Sequence, residues 1–241
     1  MKFSDQGIII DLSNYGEGSV IAKLLTKNHG VCCGFVKYAK SKKVKAIYQI
    51  GNLISFEYRS RVDDNLGSFF TVDLARSYLA NIIFDKAKLD CVRCLFFLIS
   101  KAFLESEAQN SLFNQLEYFL NDANCEDANI YRIIANYVRL ELSILNILGY
   151  GVDLSRCAAT NSDINLTFVS PKSARAVSRE AGLPYADKLL LLPDFLANNC
   201  NNLTREDLIN GLKLSGYFLA KYIFEGNKKF TQIRSIFISN I

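Results

Sequence analysis

The apolar residues of this chain follow one repeating pattern up to about residue 73 and another pattern afterwards. Between residues 5 and 73, short runs rich in β-branched and aromatic residues alternate with Gly- and Asn-containing turns, which is typical of β-strands. From about residue 74 onward, apolar residues recur every three to four positions, as they do along one face of a helix. The sequence therefore predicts an α+β protein in which a small β-barrel precedes a mostly α-helical domain.

The first part of the chain is predicted to contain five strands. They are placed at 7–13, 19–26, 30–39, 47–60 and 67–72. Glycine stands at several corners, and Gly34 interrupts the third strand as a bend or bulge would. Short, evenly spaced strands of this kind are typical of a small barrel that curls sharply. Periodicity alone leaves OB, SH3-like and split barrels open.

The second part is predicted to be helical, with candidate helices at 74–84, 86–105, 107–121, 128–148, 171–181, 204–224 and 228–239. Ser170 before Pro171 resembles a helix N-cap followed by proline at the first helical position. Thr204 precedes two acids that a helix N-terminus favours. No Pro/Gly/Ser-rich linker separates the two parts, and the predicted domains are 1–78 and 79–241.

Positive charge is concentrated in the first third of the chain. Residues 1–80 contain 11 Lys/Arg and 7 Asp/Glu, whereas residues 81–241 contain 17 of each, so the net charge of +4 comes from the barrel region. Between residues 37 and 45 five lysines occur without an acid, and two arginines follow on or after the next strand. These candidate DNA-binding residues are Lys37, Lys40, Lys42, Lys43, Lys45, Arg59 and Arg61.

Aromatic residues accompany these cations, as single-stranded nucleic-acid sites require, since lysines hold phosphates while aromatic rings stack on bases. Those near the lysines are Tyr48, Phe56, Tyr58, Phe69 and Phe70, and about half of them must fill the barrel. The alternative interpretation is an exposed loop whose lysines only increase solubility.

No catalytic residue is predicted. The single histidine, His29, lies in a predicted turn beside Cys32 and Cys33, and an exposed polar role explains it better than a Cys/His nucleophile pair. Phosphate-binding, dinucleotide-binding and zinc-protease motifs are missing from the sequence, so we expect neither an enzyme nor a cofactor. Seven scattered cysteines fit a reducing compartment. No uncharged run is long enough to span a bilayer, so we expect a cytoplasmic protein without a membrane partner.

A zinc-ribbon frame with only one cysteine occupies residues 152–182. Cys157 and Thr160, and Ser178 and Ala181, stand where C-x2-C-x15–20-C-x2-C places its four ligands. A structural zinc needs four ligands. We therefore expect no metal here. We expect the segment to be held by apolar packing of Val152, Leu154, Leu166, Phe168 and Val177.

Two blocks of sequence are similar to the RecO family of DNA repair proteins. The first is the helix and loop YVRLELSILNILGYG at 137–151, followed by Leu154, Cys157 and Phe168-Val169-Ser170-Pro171-Lys172. The second is the N-terminal series Asp5–Ile10, Tyr15-Gly16-Glu17 and Thr26–Gly30. Many members of this family carry the full set of four ribbon cysteines, from which this chain departs.

The resemblance implies an N-terminal OB-fold barrel that binds single-stranded DNA and a helical domain that docks the acidic, apolar C-terminal tail of the single-stranded-DNA-binding protein. It also implies a RecR-like partner, indirect action on a RecA-like recombinase, strand annealing and a nucleoid-associated location. Arg132 and Arg139, seven residues apart on one helix, are candidates to bind the carboxylate of the tail. Alternatively, they pair with Glu141 or Asp127 at the surface. An RNA-binding OB protein and a non-catalytic interaction adaptor remain open as functions.

Overall fold

The structure, a computed structural model, describes residues 1–60, 66–103, 108–197, 203–239 and 241. The chain forms two compact units, Met1–Glu126 and Asp127–Ile241. The predicted boundary at residue 78 falls inside the first of these units, at the end of its last strand, and the division into domains 1–78 and 79–241 stays a prediction.

Five strands of the first unit close into a barrel. In chain order they are β1 (Lys2–Tyr15), β2 (Ser19–Thr26), β3 (Val31–Val36), β4 (Asn52–Arg59) and β5 (Gly67–Ser77). The order around the barrel is β1-β2-β3-β5-β4, and all neighbours are antiparallel except β3 and β5. A helix, α1 (Lys42–Ile47), connects β3 to β4. This small five-stranded barrel has the OB architecture, which confirms the predicted fold class of an OB barrel followed by helices.

The barrel closes because β1 is long enough to pair on both sides. Its first half pairs with β4 from Lys2 to Ile8, and its second half pairs with β2 as far as Tyr15, with a register shift after Ile9. Ile9, Leu24 and Ile54 are fully buried at the centre of the barrel. Gly34 is not a bulge, because β2 and β3 keep one continuous register. Glycine fits at this position because the ring of Phe69 occupies the space that a Cβ would need.

Two predictions for the barrel are wrong at its edges. Residues 42–47 form α1 rather than part of a loop, because the Ser41 hydroxyl accepts from Val44 N and the Asn52 amide donates to the carbonyls of Ala46 and Ile47. Residues 74–77 continue β5 instead of starting a helix, because Leu74 pairs with Ile54 across the sheet. Pairing between distant strands here overrides a local helical period.

Three helices complete the first unit: α2 (Leu79–Ile82), α3 (Lys86–Ala102) and α4 (Asn110–Asn124). Asp85 caps α3 by accepting from Lys88 N at 3.1 Å. Cys91 and Cys94, one turn apart on α3, are buried in the core.

The second unit packs helices around a small sheet. Its elements are α5 (Ile130–Ile147), β6 (Leu166–Val169), β7 (Ala176–Ser178), α6 (Arg179–Gly182), a 3₁₀ segment (Leu183–Lys188), β8 (Leu190–Leu191), α7 (Asp194–Ala197), α8 (Arg205–Tyr222) and α9 (Lys228–Ser239). The strand order is β7-β6-β8. The predicted helix at 171–181 is wrong. Ser170 N donates to Arg175 O at 2.9 Å and Ala174 has a positive φ, so the chain reverses there and enters β7.

A buried ionic network lies in the core of the second unit. Arg234 of α9 and Glu141 of α5 form an ion pair, and both side chains are almost fully buried. Glu141 also accepts from the Tyr137 hydroxyl and, at 2.6 Å, from the Ser215 hydroxyl of α8. Arg234 donates in addition to Leu212 O at 2.6 Å and to the Ser215 hydroxyl at 2.7 Å. One polar cluster thus ties three helices together.

Within the described ranges, no helix combines the length and the apolar character that crossing a bilayer requires.

Candidate nucleic-acid interface

The five candidate lysines all lie on one exposed stretch between β3 and β4. Lys37 and Lys40 follow β3, whereas Lys42, Lys43 and Lys45 lie on α1, and every one of them is exposed. We call residues 37–45 the lysine segment. None of its lysines takes part in an ion pair with another residue that the structure describes, and the sequence has no acid between Glu17 and Glu57. The positive charge of this segment is therefore not offset by neighbouring acids in the sequence.

A row of aromatic side chains crosses the outer face of the barrel beside this segment. The rings of Tyr15 and Phe35 meet edge to face with their centroids 5.4 Å apart. Phe35 pairs with Ser68 of β5, and Phe70 faces the same side because alternate residues of a strand share a face. Tyr15 is 58% exposed and Phe70 is 43% exposed. We call Tyr15, Phe35 and Phe70 the aromatic stripe.

Most of the aromatic residues that the sequence suggested lie inside the barrel instead. Phe69 packs edge to face against Phe56 at 5.0 Å and lies 5.7 Å from Tyr58. Phe56, Tyr58 and Tyr48 are all buried. Of the five aromatic residues suggested on the nearby strands, only Phe70 is an exposed one.

The aromatic residues predicted from the sequence to lie near the lysines do not include Tyr15 or Phe35. Tyr15 belongs to β1 rather than to the predicted turn, and Tyr38, directly after Lys37, is 77% exposed. The sequence VCCGFV of β3 gives no clear signal for Phe35, because it contains no polar residue. In the structure Cys32 and Val36 are buried in the barrel core, while Phe35 is only partly buried.

Arg59 packs against the aromatic stripe, and an acidic neighbour offsets its positive charge. Its guanidinium lies over the ring of Phe70, 4.8 Å from the centroid, and donates to Glu57 Oε2 at 2.7 Å. The hydrogen bond from Arg59 lowers the pKa of Glu57, so that carboxylate stays charged and offsets the arginine. Arg61, the other candidate arginine, lies outside the described residues.

His29 has a structural role and is only partly exposed, contrary to the sequence expectation. Its Nδ1 lies 2.6 Å from Asp5 Oδ2, and its ring stacks on Phe3 with centroids 3.8 Å apart. Asp5 also accepts from the backbone and side chain of Asn28 at 2.9 Å. These contacts fix the turn between β2 and β3.

The two candidate arginines of α5 differ in their surroundings. Arg132 is exposed near the start of the helix. Arg139 is half-buried: it donates to Phe195 O at 2.9 Å and to Asn136 Oδ1 at 3.0 Å, and burial lowers its pKa. Glu141 is buried and pairs with Arg234, so the alternative of a surface pair between these arginines and Glu141 is wrong.

The zinc-ribbon positions come together although three ligands are missing. Cys157 is buried, with Ser178 N donating to its Sγ at 3.2 Å, and Ala181 packs beside it with Leu166, Phe168 and Val177. Burial alone raises the pKa of the Cys157 thiol, but hydrogen bonds from Ser178 and Thr160 outweigh it and lower the pKa to about 6. The predicted apolar packing is confirmed for Leu166, Phe168 and Val177, whereas Val152 and Leu154 are only partly buried and do not belong to this cluster. The described residues contain no cluster of three or more His, Cys, Asp or Glu that could hold a metal ion.

Comparison with known proteins covers almost the whole chain. Residues 1–78 match the family model of the recombination protein O N terminal region, and residues 85–230 match that of the recombination protein O C terminal region. DNA repair protein RecO of Rickettsia typhi is 37% identical over 241 residues, which is 100% of this chain and 99% of that protein. DNA repair protein RecO of Ehrlichia chaffeensis is 38% identical over 226 residues, 92% of this chain and 90% of that protein. This chain, with its OB barrel and helical region, belongs to the RecO family of DNA repair proteins.

Proposed function

We propose that this protein is a recombination mediator whose barrel binds single-stranded DNA. The observation that carries the proposal is the aromatic stripe next to the lysine segment on one exposed side of the barrel. Single-strand sites combine cations that track the phosphates with rings on which bases stack. Both kinds of group are present here, and the lysines have no acidic neighbours in the sequence between Glu17 and Glu57.

The number of lysines sets the salt dependence of binding. Each phosphate neutralised on a single strand contributes about −0.7 to the slope of log K against log[salt], so five lysines give a slope of about −3.5. Arg59 contributes less than a full charge, because Glu57 accepts its hydrogen bond. Affinity at physiological salt is modest, and sequence preference is slight.

The test is fluorescence anisotropy of labelled poly-dT, titrated with the protein between about 20 and 200 mM salt. The expected slope is between about −2 and −4. Replacing Lys37, Lys40, Lys42, Lys43 and Lys45 together by Ala lowers affinity and flattens the slope. A matched control, Lys172→Ala with Lys188→Ala, removes two exposed lysines of the second unit and leaves both quantities unchanged. Equal slopes for the five-lysine variant and the wild type would remove the lysine segment from the site.

The same titration separates the two other functions that the sequence leaves open. A matched RNA oligomer that displaces the DNA at lower concentration than DNA itself would favour an RNA-binding role. No salt-dependent binding to either strand, even at 20 mM salt, would favour an interaction adaptor whose barrel binds protein.

The second unit binds the acidic C-terminal tail of the single-stranded-DNA-binding protein, and a RecR-like protein is a further partner. Because this chain binds both the strand and the protein that coats it, it displaces the coating protein and helps to load a RecA-like recombinase. The same binding promotes strand annealing, and no covalent step is involved. It acts in the cytoplasm on nucleoid DNA. Arg132 is the more accessible of the two arginines for a terminal carboxylate, because it is exposed whereas Arg139 is half-buried.

A tail peptide titrated into single variants tests this placement. An apolar groove of about 250 Å³ between α8 and α9 offers another place for the tail, with exposed Lys213 at its edge. Arg132→Ala weakens peptide binding if the tail lies on α5, and Lys213→Ala does so if it lies in this groove. Unchanged binding in both variants would contradict docking at either place.

A further inference from the structure

A cleft opens in the barrel wall because β3 and β5 pair over only two residues. Gly34 pairs with Gly67 and Phe35 pairs with Ser68, and beyond that point β3 ends at Val36 while β5 continues along β4. The helix α1 lies across the gap without filling it. The remaining cavity has a volume of about 440 Å³, which is within the range of small-ligand sites, about 300–1,000 Å³.

The inside of the cleft is lined mainly by apolar side chains. Val44 and Ile47 of α1 form one wall, and Phe69 and Val72 of β5 form another. Phe35 and Phe70 of the aromatic stripe stand at its edge, so the cleft continues the surface on which the proposed function places DNA bases. Aromatic and apolar walls of this kind hold an unstacked base by contact with its two faces.

Tyr48 supplies one polar group to this apolar cleft. Its side chain lines the cavity and is only 9% exposed. Its hydroxyl has no hydrogen-bond partner among the residues that the structure describes. The hydroxyl oxygen is also not among the fully buried polar atoms of the described residues that lack a partner, so it is open to the cavity. Burial raises the pKa of Tyr48, so at neutral pH the hydroxyl is both a donor and an acceptor for the edge of a ligand.

Two lysines stand at the entrance. Lys37 and Lys43 both line the cleft, are exposed, and belong to the lysine segment. The site thus combines an apolar slot, one hydroxyl inside it and two ammonium groups at its edge, which is the chemistry of a base joined to a phosphate.

We propose that this cleft accepts a single unstacked base of single-stranded DNA, with the adjoining phosphate on Lys37 and Lys43 and the base edge on the Tyr48 hydroxyl. The inference rests on the proposed DNA-binding function and deepens it. Bases paired within a duplex cannot enter, so the cleft makes the barrel select single strands over duplexes. The lysines alone would not make this distinction, because both forms of DNA carry phosphates.

The experiment compares two oligomers of equal length, poly-dT and a strand of abasic spacers with the same phosphates. Val44→Phe places a ring in the cleft and leaves the lysines and the aromatic stripe intact. It lowers affinity for poly-dT by about 5- to 150-fold, the range expected when one stacked base is lost, and leaves the salt slope and the affinity for the abasic strand unchanged. Tyr48→Phe keeps the shape of the cleft and lowers poly-dT affinity by about 2- to 10-fold, as loss of one neutral hydrogen bond predicts.

The outcomes separate this inference from the proposed function. If the wild type binds neither oligomer at 20 mM salt, the DNA-binding function itself fails. If the wild type binds poly-dT and both variants bind it equally well, the function stands and the cleft is not a base site. If Val44→Phe no longer binds the abasic strand either, its fold is damaged, and the poly-dT affinity of Tyr48→Phe then tests whether the cleft is a base site. If Val44→Phe retains poly-dT but loses the tail peptide, the cleft binds protein instead.

Discussion

Replacing Arg234 by Met leaves the carboxylate of Glu141 buried without its counter-ion, and we expect a large loss of stability in the second unit. Removing one partner of a buried ion pair typically costs about 3–5 kcal/mol. Glu141 keeps two hydroxyl donors, from Tyr137 and Ser215. Since these donors compensate part of the missing charge, the expected loss is about 3 kcal/mol, near the lower end of that range.

Replacing both members of the pair tests whether the loss comes from the orphaned charge. In Glu141→Leu with Arg234→Met no buried charge remains, and apolar replacement of a buried pair is often neutral. The Ser215 hydroxyl keeps Gly211 O as an acceptor at 3.1 Å, so the loss of the carboxylate as an acceptor costs about 1–3 kcal/mol, mainly at Tyr137. The double variant is therefore no less stable than Arg234→Met, and the two substitutions show a coupling energy of about 2 kcal/mol or more.

Hydrogen exchange of the full chain measures the loss of stability at the helices that carry the ion pair and its neighbours. Amides of α5 and α8 in Arg234→Met exchange about 100-fold faster than in the wild type, since every 1.4 kcal/mol is a factor of ten. The matched control is Arg205→Met, which removes an exposed arginine of α8 and changes stability by less than about 0.5 kcal/mol. A loss below about 1 kcal/mol in Arg234→Met, or simple additivity in the double variant, would refute the reasoning.

Two further predictions concern the barrel and the ribbon remnant. Gly34→Ala places a methyl group against the ring of Phe69 and destabilises the barrel by about 1–3 kcal/mol in urea unfolding, whereas Gly18→Ala, with open space around it, changes stability little; equal midpoints would contradict the close approach. The pKa of Cys157 is about 6 in the folded chain and about 8.5 when unfolded, so the unfolded state binds more protons between these values and wild-type stability rises with pH there. In Cys157→Ala the stability no longer rises with pH in this range, whereas Cys125→Ala, at an exposed position, keeps the rise. Parallel profiles of stability against pH for Cys157→Ala and the wild type would argue against a buried thiolate.

The sequence predicts the barrel well because its strands are short runs rich in β-branched and aromatic residues, separated by Gly- and Asn-containing turns. It failed where the deciding partner is remote or the signal is ambiguous. Residues 74–77 have a helical period yet pair with β4. Ser170 and Pro171 suit a helix start as well as the turn that they form. The sequence places Glu141 near two arginines of α5, but its partner Arg234 is 93 residues away.

The sequence predicts the lysines of the candidate site but not the cleft beside them. Five lysines without an acid lie within residues 37–45, so the lysine segment can be recognised from the sequence alone. The cleft was not, because it depends on where β3 and β5 stop pairing. Tyr48 illustrates the difference: it was named as one of several aromatic residues near the lysines, but only the structure shows that its hydroxyl has no partner among the described residues.

The double pairing of β1 also bears on how the barrel forms during synthesis on the ribosome. β1, β2 and β3 can join as a meander as soon as they emerge, because their connections are short. The free edges of β1 and β3 must then wait for β4 and β5, which are made later and close the ring from both sides. Exposed strand edges of this kind pair readily with other chains. We therefore expect ribosome-bound chains that end before β4 to aggregate more readily than chains that extend past Ser77.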